Sequence, residues 1–104
     1  MSITVNTSGL FTQITPDGSS DWDSASAFPD GMRVKSVLFY PSAANDVICI
    51  REGGATGPVI FQAKDVEGRG LLLDFQGNLI HPYLDQSGCT FDTPANVVIT
   101  FFQG

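Results

Sequence analysis

The sequence predicts an all-β domain: an antiparallel β-sandwich, jelly-roll-like, with about 7–9 short strands. Three observations lead there. Short apolar runs are punctuated by Gly, Pro, Asn and Asp turn signals at intervals of roughly 8–12 residues. No stretch keeps a helical period beyond about two turns. No fixed-period repeat marks a solenoid or propeller. An immunoglobulin-like sandwich is disfavoured, because Trp22, Cys49 and Cys89 do not reproduce its Cys, Trp, Cys order on core strands.

Taken in order, Ile3 to Thr15 forms one bulged strand or two short ones, with Ser8-Gly9 as the break. Pro16 to Gly31, rich in Asp, Ser, Ala, Gly and Pro, reads as a loop. It is long for a compact domain, so it is either a packed or functional loop or one that hides a helical turn in Ser24-Ala25-Ser26-Ala27, and Trp22 and Phe28 can pin it to the body. Arg33 to Tyr40 reads as a strand, with Val34, Leu38 and Tyr40 on one face and Val37 and Phe39 on the other; Pro41 stops it. Asp46 to Lys64 reads as a long hairpin around Gly53-Gly54-Ala55-Thr56-Gly57-Pro58. Leu71 to Phe75 follows as a strand, Gln76-Gly77-Asn78 as a turn, and Leu79 to Tyr83 as a short segment that Pro82 confines to an edge or ends early. Val97 to Phe102 is the last strand, with Val97, Ile99 and Phe101 opposing Val98, Thr100 and Phe102.

The chain has 104 residues, the length of a single domain spanning 1–104. Its 42% hydrophobic content and eight Phe support a packed core and argue against disorder. Eleven acids against five bases, net −6, leave no Lys/Arg cluster to neutralise a row of phosphates, so nucleic acid is not an expected partner. The N-terminal residues lack a signal-peptide pattern and no apolar run approaches the roughly 20 residues of a membrane helix, so neither secretion nor a membrane is expected. Cys49 and Cys89 permit one disulfide or none, and nothing marks an oxidising compartment.

Several residues carry candidate chemistry. His81 could serve a triad with Ser87 or Cys89 as nucleophile and Asp85 as orienter, but all lie within one short stretch that would have to fold back sharply. One His and two distant Cys lack the paired spacing of zinc sites. Asp17, Asp21 and Asp23 offer oxygen ligands of the kind calcium uses, in an order that is wrong for an EF-hand. Trp22, beside them, suits either stacking on a sugar ring or covering the end of the core, and the latter is preferred. The glycines from Gly53 to Gly57 lack the Lys-Ser/Thr pair and following helix of a phosphate loop, and serve the turn. The expectation is therefore no enzyme and no cofactor.

What remains is strands apolar on both faces. Ile48 and Ile50 oppose Val47 and Cys49, Ile60 opposes Val59 and Phe61, and Phe102 opposes Phe101. Only one face of each can enter a core, and excess apolar surface on a small domain marks interfaces. Ile48, Ile50, Ile60 and Phe102 are accordingly the expected interface residues, with Trp22 and Phe28 as loop contacts.

The run from Arg33 to Asp46 (RVKSVLFYPSAAND), continued by Ile50 to Pro58 (IREGGATGP) and by Cys89 to Asn96 (CTFDTPAN), resembles small virion structural proteins of tailed bacteriophages, over about residues 28–103. The resemblance implies a β-sandwich that decorates or cements a capsid shell, commonly as an oligomer at a symmetry axis. Its partner would be the major capsid protein or another virion protein, the chain itself a homo-oligomer, at a first guess a trimer. Its place would be the virion, assembled in the host cytoplasm. The alternative is a carbohydrate-binding or adhesin-like sandwich using the Asp17 to Asp23 loop and Trp22.

Overall fold

The computed structural model describes residues 3–104; Met1 and Ser2 of the expected domain lie outside the described residues. Among the described residues nine strands form: β1 (Thr4–Thr7), β2 (Phe11–Thr15), β3 (Trp22–Asp23), β4 (Met32–Tyr40), β5 (Asp46–Glu52), β6 (Val59–Asp65), β7 (Leu71–Ile80), β8 (Pro82–Leu84) and β9 (Val98–Gln103). Single 3₁₀ turns cover Ser24–Ser26, Gln86–Gly88 and Pro94–Asn96. The strands make two antiparallel sheets, one in the order β1-β2-β9-β4-β7 and one in the order β3-β8-β5-β6. The molecule is thus an all-β sandwich.

Its pairings are nested. β5 pairs with β6, β4 with β7, β3 with β8 and β2 with β9, as if one long hairpin had been wrapped into two layers. The central hairpin is the segment whose glycine turn and apolar arms stand out in the sequence. Lateral pairing of β4 with β9 and β5 with β8 closes each sheet. β1 stands outside this nested set, added at the free edge of β2.

The core fills the space between the sheets. Ile14, Val34, Val37, Phe39, Ile99 and Phe101 from the larger sheet meet Trp22, Ile48, Ile50 and Leu84 from the smaller, and all but Trp22 are fully buried. Trp22 lies against Phe101 with ring centroids 5.2 Å apart, within the range of favourable aromatic pairs.

Several expectations shift. Val34 shares the buried face with Val37 and Phe39, not the outward face with Leu38 and Tyr40, because a bulge at Lys35 resets the alternation: Val34 opposes Gln103 while Ser36 opposes Phe102. Gln76-Gly77-Asn78 does not end a strand. Gln76 (φ 58°) and Gly77 (φ 76°) form a bulge inside β7, whose two halves are held in one ladder by β4. β8 is an interior strand between β3 and β5, and Pro82 is tolerated as its first residue, where a ladder N–H is least needed. The predicted 16–31 loop contains β3 as well as a helical turn at Ser24–Ser26, the second of the two alternatives there. Two residues carry too little local pattern to announce a strand; β3 exists because β8 pairs with it.

Two buried carboxylates fasten the turns. Asp46 accepts hydrogen bonds from Ser42 N–H, Ser42 Oγ, Ala43 N–H and Asp92 N–H, tying the β4–β5 turn to the segment before β9. Asp65 accepts from Gly68 N–H (3.0 Å) and Gly70 N–H (2.7 Å), closing the β6–β7 turn.

Candidate contact surface

The two outer faces of the sandwich differ in chemistry. On the smaller sheet, outward-facing Arg51 opposes Tyr83, and Tyr83 opposes Asp23. Arg51 Nε donates to Asp85 Oδ2 at 2.8 Å and its Nη1 to Gly57 O at 2.9 Å. Tyr83 Oη donates to Asp21 Oδ2 at 2.6 Å, and Gln86 N–H donates to Asp21 Oδ1 at 2.8 Å. The anionic acceptor on Asp21 holds the Tyr83 hydroxyl protonated, pushing its pKa up to about 12, with burial and the neighbouring carboxylates adding to this. Ser87 Oγ and Arg51 together hold Asp85 below the usual carboxylate range. The β3-β8-β5 part of this face is thus tied together by its own polar bonds, while β6 adds exposed Val59, Gln62 and Lys64.

The outer face of the larger sheet carries an apolar cluster among polar side chains such as Gln13, Thr100 and Ser36. Following the registers across it, Phe11 opposes Phe102, which opposes Ser36; Gln13 opposes Thr100, then Leu38, then Leu72; Val98 opposes Tyr40. Leu10 is 73% exposed, Leu72 68% and Tyr40 57%, so this surface is open to solvent. A groove of about 500 Å³ crosses it, lined by Leu10, Phe11, Lys35, Ser36, Leu72, Phe102 and Gln103. The bulge that turns Val34 inward also places Ser36 beside Phe102 in this groove. Lys35 lines the groove, and Asp74 stands opposite Ser36 in the register.

The predicted interface residues separate accordingly. Phe102 lies on this face, half-buried in the groove. Ile60 sits at a bulge in β6 and packs partly against the core. Ile48 and Ile50 are fully buried between the sheets, which corrects their expected contact role: the outward face of β5 is Val47, Cys49 and Arg51. Cys49 is covered in turn, because Gly88 lies directly over its side chain. Trp22 and Phe28 do pin the long loop, Trp22 at 7% exposure and Phe28 half-buried against the core. A ring so covered cannot stack on a sugar.

The other candidates are drawn apart. His81 Nδ1 lies 3.3 Å from Glu52 Oε2 and its N–H donates to Glu52 Oε1, whereas Ser87 Oγ donates to Asp85, so no triad assembles. Cys49 and Cys89 are free thiols; Cys49 N–H donates to Cys89 Sγ at 3.3 Å, and burial pushes the Cys89 thiol up to about 12. Asp17 accepts from Ser20 N–H, Ser20 Oγ and Ser19 N–H, which bring it down to about 2. Asp21 serves Tyr83, and Asp23 caps Ala25. Among the described residues no group of three or more His, Cys, Asp or Glu is placed to hold a metal ion, and no helix is long and apolar enough to cross a membrane.

No protein-family model, curated protein or solved structure matches the chain. The resemblance to phage virion proteins therefore rests on the sequence motifs alone.

Sequence reasoning missed Leu10, Phe11, Leu38 and Leu72 as surface residues. A signal was present: Leu71-Leu72-Leu73 and Leu10-Phe11 are apolar on consecutive positions, so one member of each must face outward.

Proposed function

We propose that this chain is a non-enzymatic structural protein that works by contact, docking the outer face of its five-stranded sheet onto another protein. The single observation that carries this is the cluster of open apolar side chains around Leu10, Leu72 and Phe102 and the groove they line. The proposed setting is the virion of a tailed bacteriophage, as a decoration or cement protein on the capsid shell, assembled in the host cytoplasm. The nested strand pairing supports reading the sandwich as a jelly roll of β2 to β9 with β1 added, since those eight strands wrap as one long hairpin into two four-stranded layers. Viral capsid and lectin domains share that architecture. The carbohydrate-binding alternative is weakened by the burial of Trp22.

Cementing stabilises a shell by mass action, because the bound protein favours the assembled state. The experiment is thermal rupture of purified shells with and without this protein, and with Leu72→Asp. Leu72 is too exposed for the change to harm the fold by more than about 0.5 kcal/mol. Bound wild-type protein should raise the rupture temperature and Leu72→Asp should not. Shells indifferent to the wild-type protein would remove the cementing reading.

A further inference from the structure

We propose that β1 is a pairing edge for a second copy of this chain, so that two β1 strands run antiparallel about a two-fold axis and join two five-stranded sheets into one. All four residues of β1, Thr4–Thr7, are exposed, and the strand pairs only with β2. Ser8 N–H donates to Phe11 O at 2.8 Å. Bonds alternate along an antiparallel ladder, so Asn6 and Thr4, opposite Gln13 and Thr15, bond to β2 in turn. The N–H and C=O groups of Val5 and Thr7 therefore point to the open edge.

The occupant follows from charge and from the other edges. The molecule carries net −6, yet residues 3–16 hold no charged side chain. Two copies can meet along this strip without opposing carboxylates, and like charges directly across a ladder are destabilising. The remaining edges carry the usual protections. β7 is bulged at Gln76-Gly77 and bears Asp74; β6 is bulged at Ile60 and bears Lys64 and Asp65; β3 has two residues. With the axis through Asn6, Val5 of one copy faces Thr7 of the other and the two exchange N–H···O=C bonds in both directions. An axis perpendicular to the sheet keeps both outer faces on one side, doubling the width of the proposed contact surface. The pairing itself does not depend on that reading.

The test is sedimentation equilibrium of this chain from about 10 µM to about 1 mM, with amide exchange read residue by residue at both ends of the range. The expected result is a monomer–dimer equilibrium in which the Val5 and Thr7 amides exchange roughly tenfold slower when concentrated, while the Asn6 amide is protected throughout. Val5→Pro, which removes an edge donor, and Val5→Lys, which keeps the backbone but adds a charge, should both give monomers. Protection at Asn6 in each variant verifies that the β1–β2 pair is intact. Leu72→Asp should leave the dimer unchanged. A monomer at every concentration overturns the proposal. So does a dimer with freely exchanging Val5 and Thr7 amides, or one lost in Leu72→Asp and kept in Val5→Lys. Slowing of these amides by an added shell protein but not by concentration also overturns it, assigning the edge to a foreign strand.

Discussion

Replacing Asp46 by Asn isolates the contribution of one buried carboxylate to the sandwich. Asp46 is 2% exposed; its Oδ2 accepts from Ser42 Oγ (2.5 Å), Ser42 N–H (2.7 Å) and Ala43 N–H (3.3 Å), and its Oδ1 from Asp92 N–H (3.1 Å). An amide can turn its single oxygen toward the Ser42 side, which leaves Asp92 N–H facing another donor. Bonds to a charged acceptor contribute about 1.5–3 kcal/mol and neutral ones about 0.5–1.5, so the three weakened bonds alone amount to at least about 3 kcal/mol, before the lost bond is counted. For a chain of this length that is a fall in Tm of roughly 10–20 °C. Urea denaturation at neutral pH should show it as a lower midpoint with an unchanged slope. The effect must also depend on pH. Burial alone raises the Asp46 pKa, but the bonds from Ser42, Asp92 and Ala43 outweigh it and the net shift is downward. A carboxylate whose folded pKa is depressed contributes stability that is complete above its unfolded pKa, near 3.9, and is lost as pH falls through the folded value. The gap between wild type and Asp46→Asn should therefore narrow below about pH 4. A gap under about 0.5 kcal/mol at pH 7, or one that is the same at neutral and acid pH, refutes the reasoning.

Ultraviolet titration should place the Tyr83 hydroxyl near 12 and Asp21→Asn should return it toward its ordinary value near 10, because the hydroxyl then loses its anionic acceptor; no change would acquit Asp21. Gly57→Ala should destabilise the domain by about 3 kcal/mol or more, since a Cβ there would sit 1.7 Å from Glu52 O, whereas Gly53→Ala meets nothing and costs only about 1–2 kcal/mol of left-handed strain. Equal midpoints for the two variants in urea would contradict the turn geometry. Iodoacetamide at pH 8 should alkylate Cys49 and Cys89 far more slowly in the folded protein than in urea, because burial raises both thiol pKa values; equal rates would show the sulfurs to be accessible.

Much of the local structure is legible in the chain. The Gly, Pro, Asn and Asp clusters mark the turns, and the alternation from Val97 to Phe102 predicts β9 and groups Val97, Ile99 and Phe101 on one face, which the packing then buries. Of the alternatives open for the long loop, Ser24–Ser26 forms the helical turn, because Asp23 caps it by accepting from Ala25 N–H. Trp22 and Phe28 anchor the long loop because large aromatic rings gain most by leaving water.

The inside and outside of the sandwich were decided only in three dimensions. Ile48 and Ile50 look like surplus apolar surface in the sequence, yet they are core, while Phe11 and Leu72 belong to the open face. Strand period sets which residues share a face but not which face is buried, and a one-residue bulge such as that at Lys35 exchanges the two. The choice is made by pairings between distant segments, Phe11 with Phe102 and Trp22 with Leu84, which no local pattern specifies. The sequence alone thus determined that this protein is an all-β domain with more apolar surface than its core uses. Only the packing of nine strands into two sheets decided where the excess lies, because the core accepts one face of each sheet and leaves the other to solvent or to a neighbour.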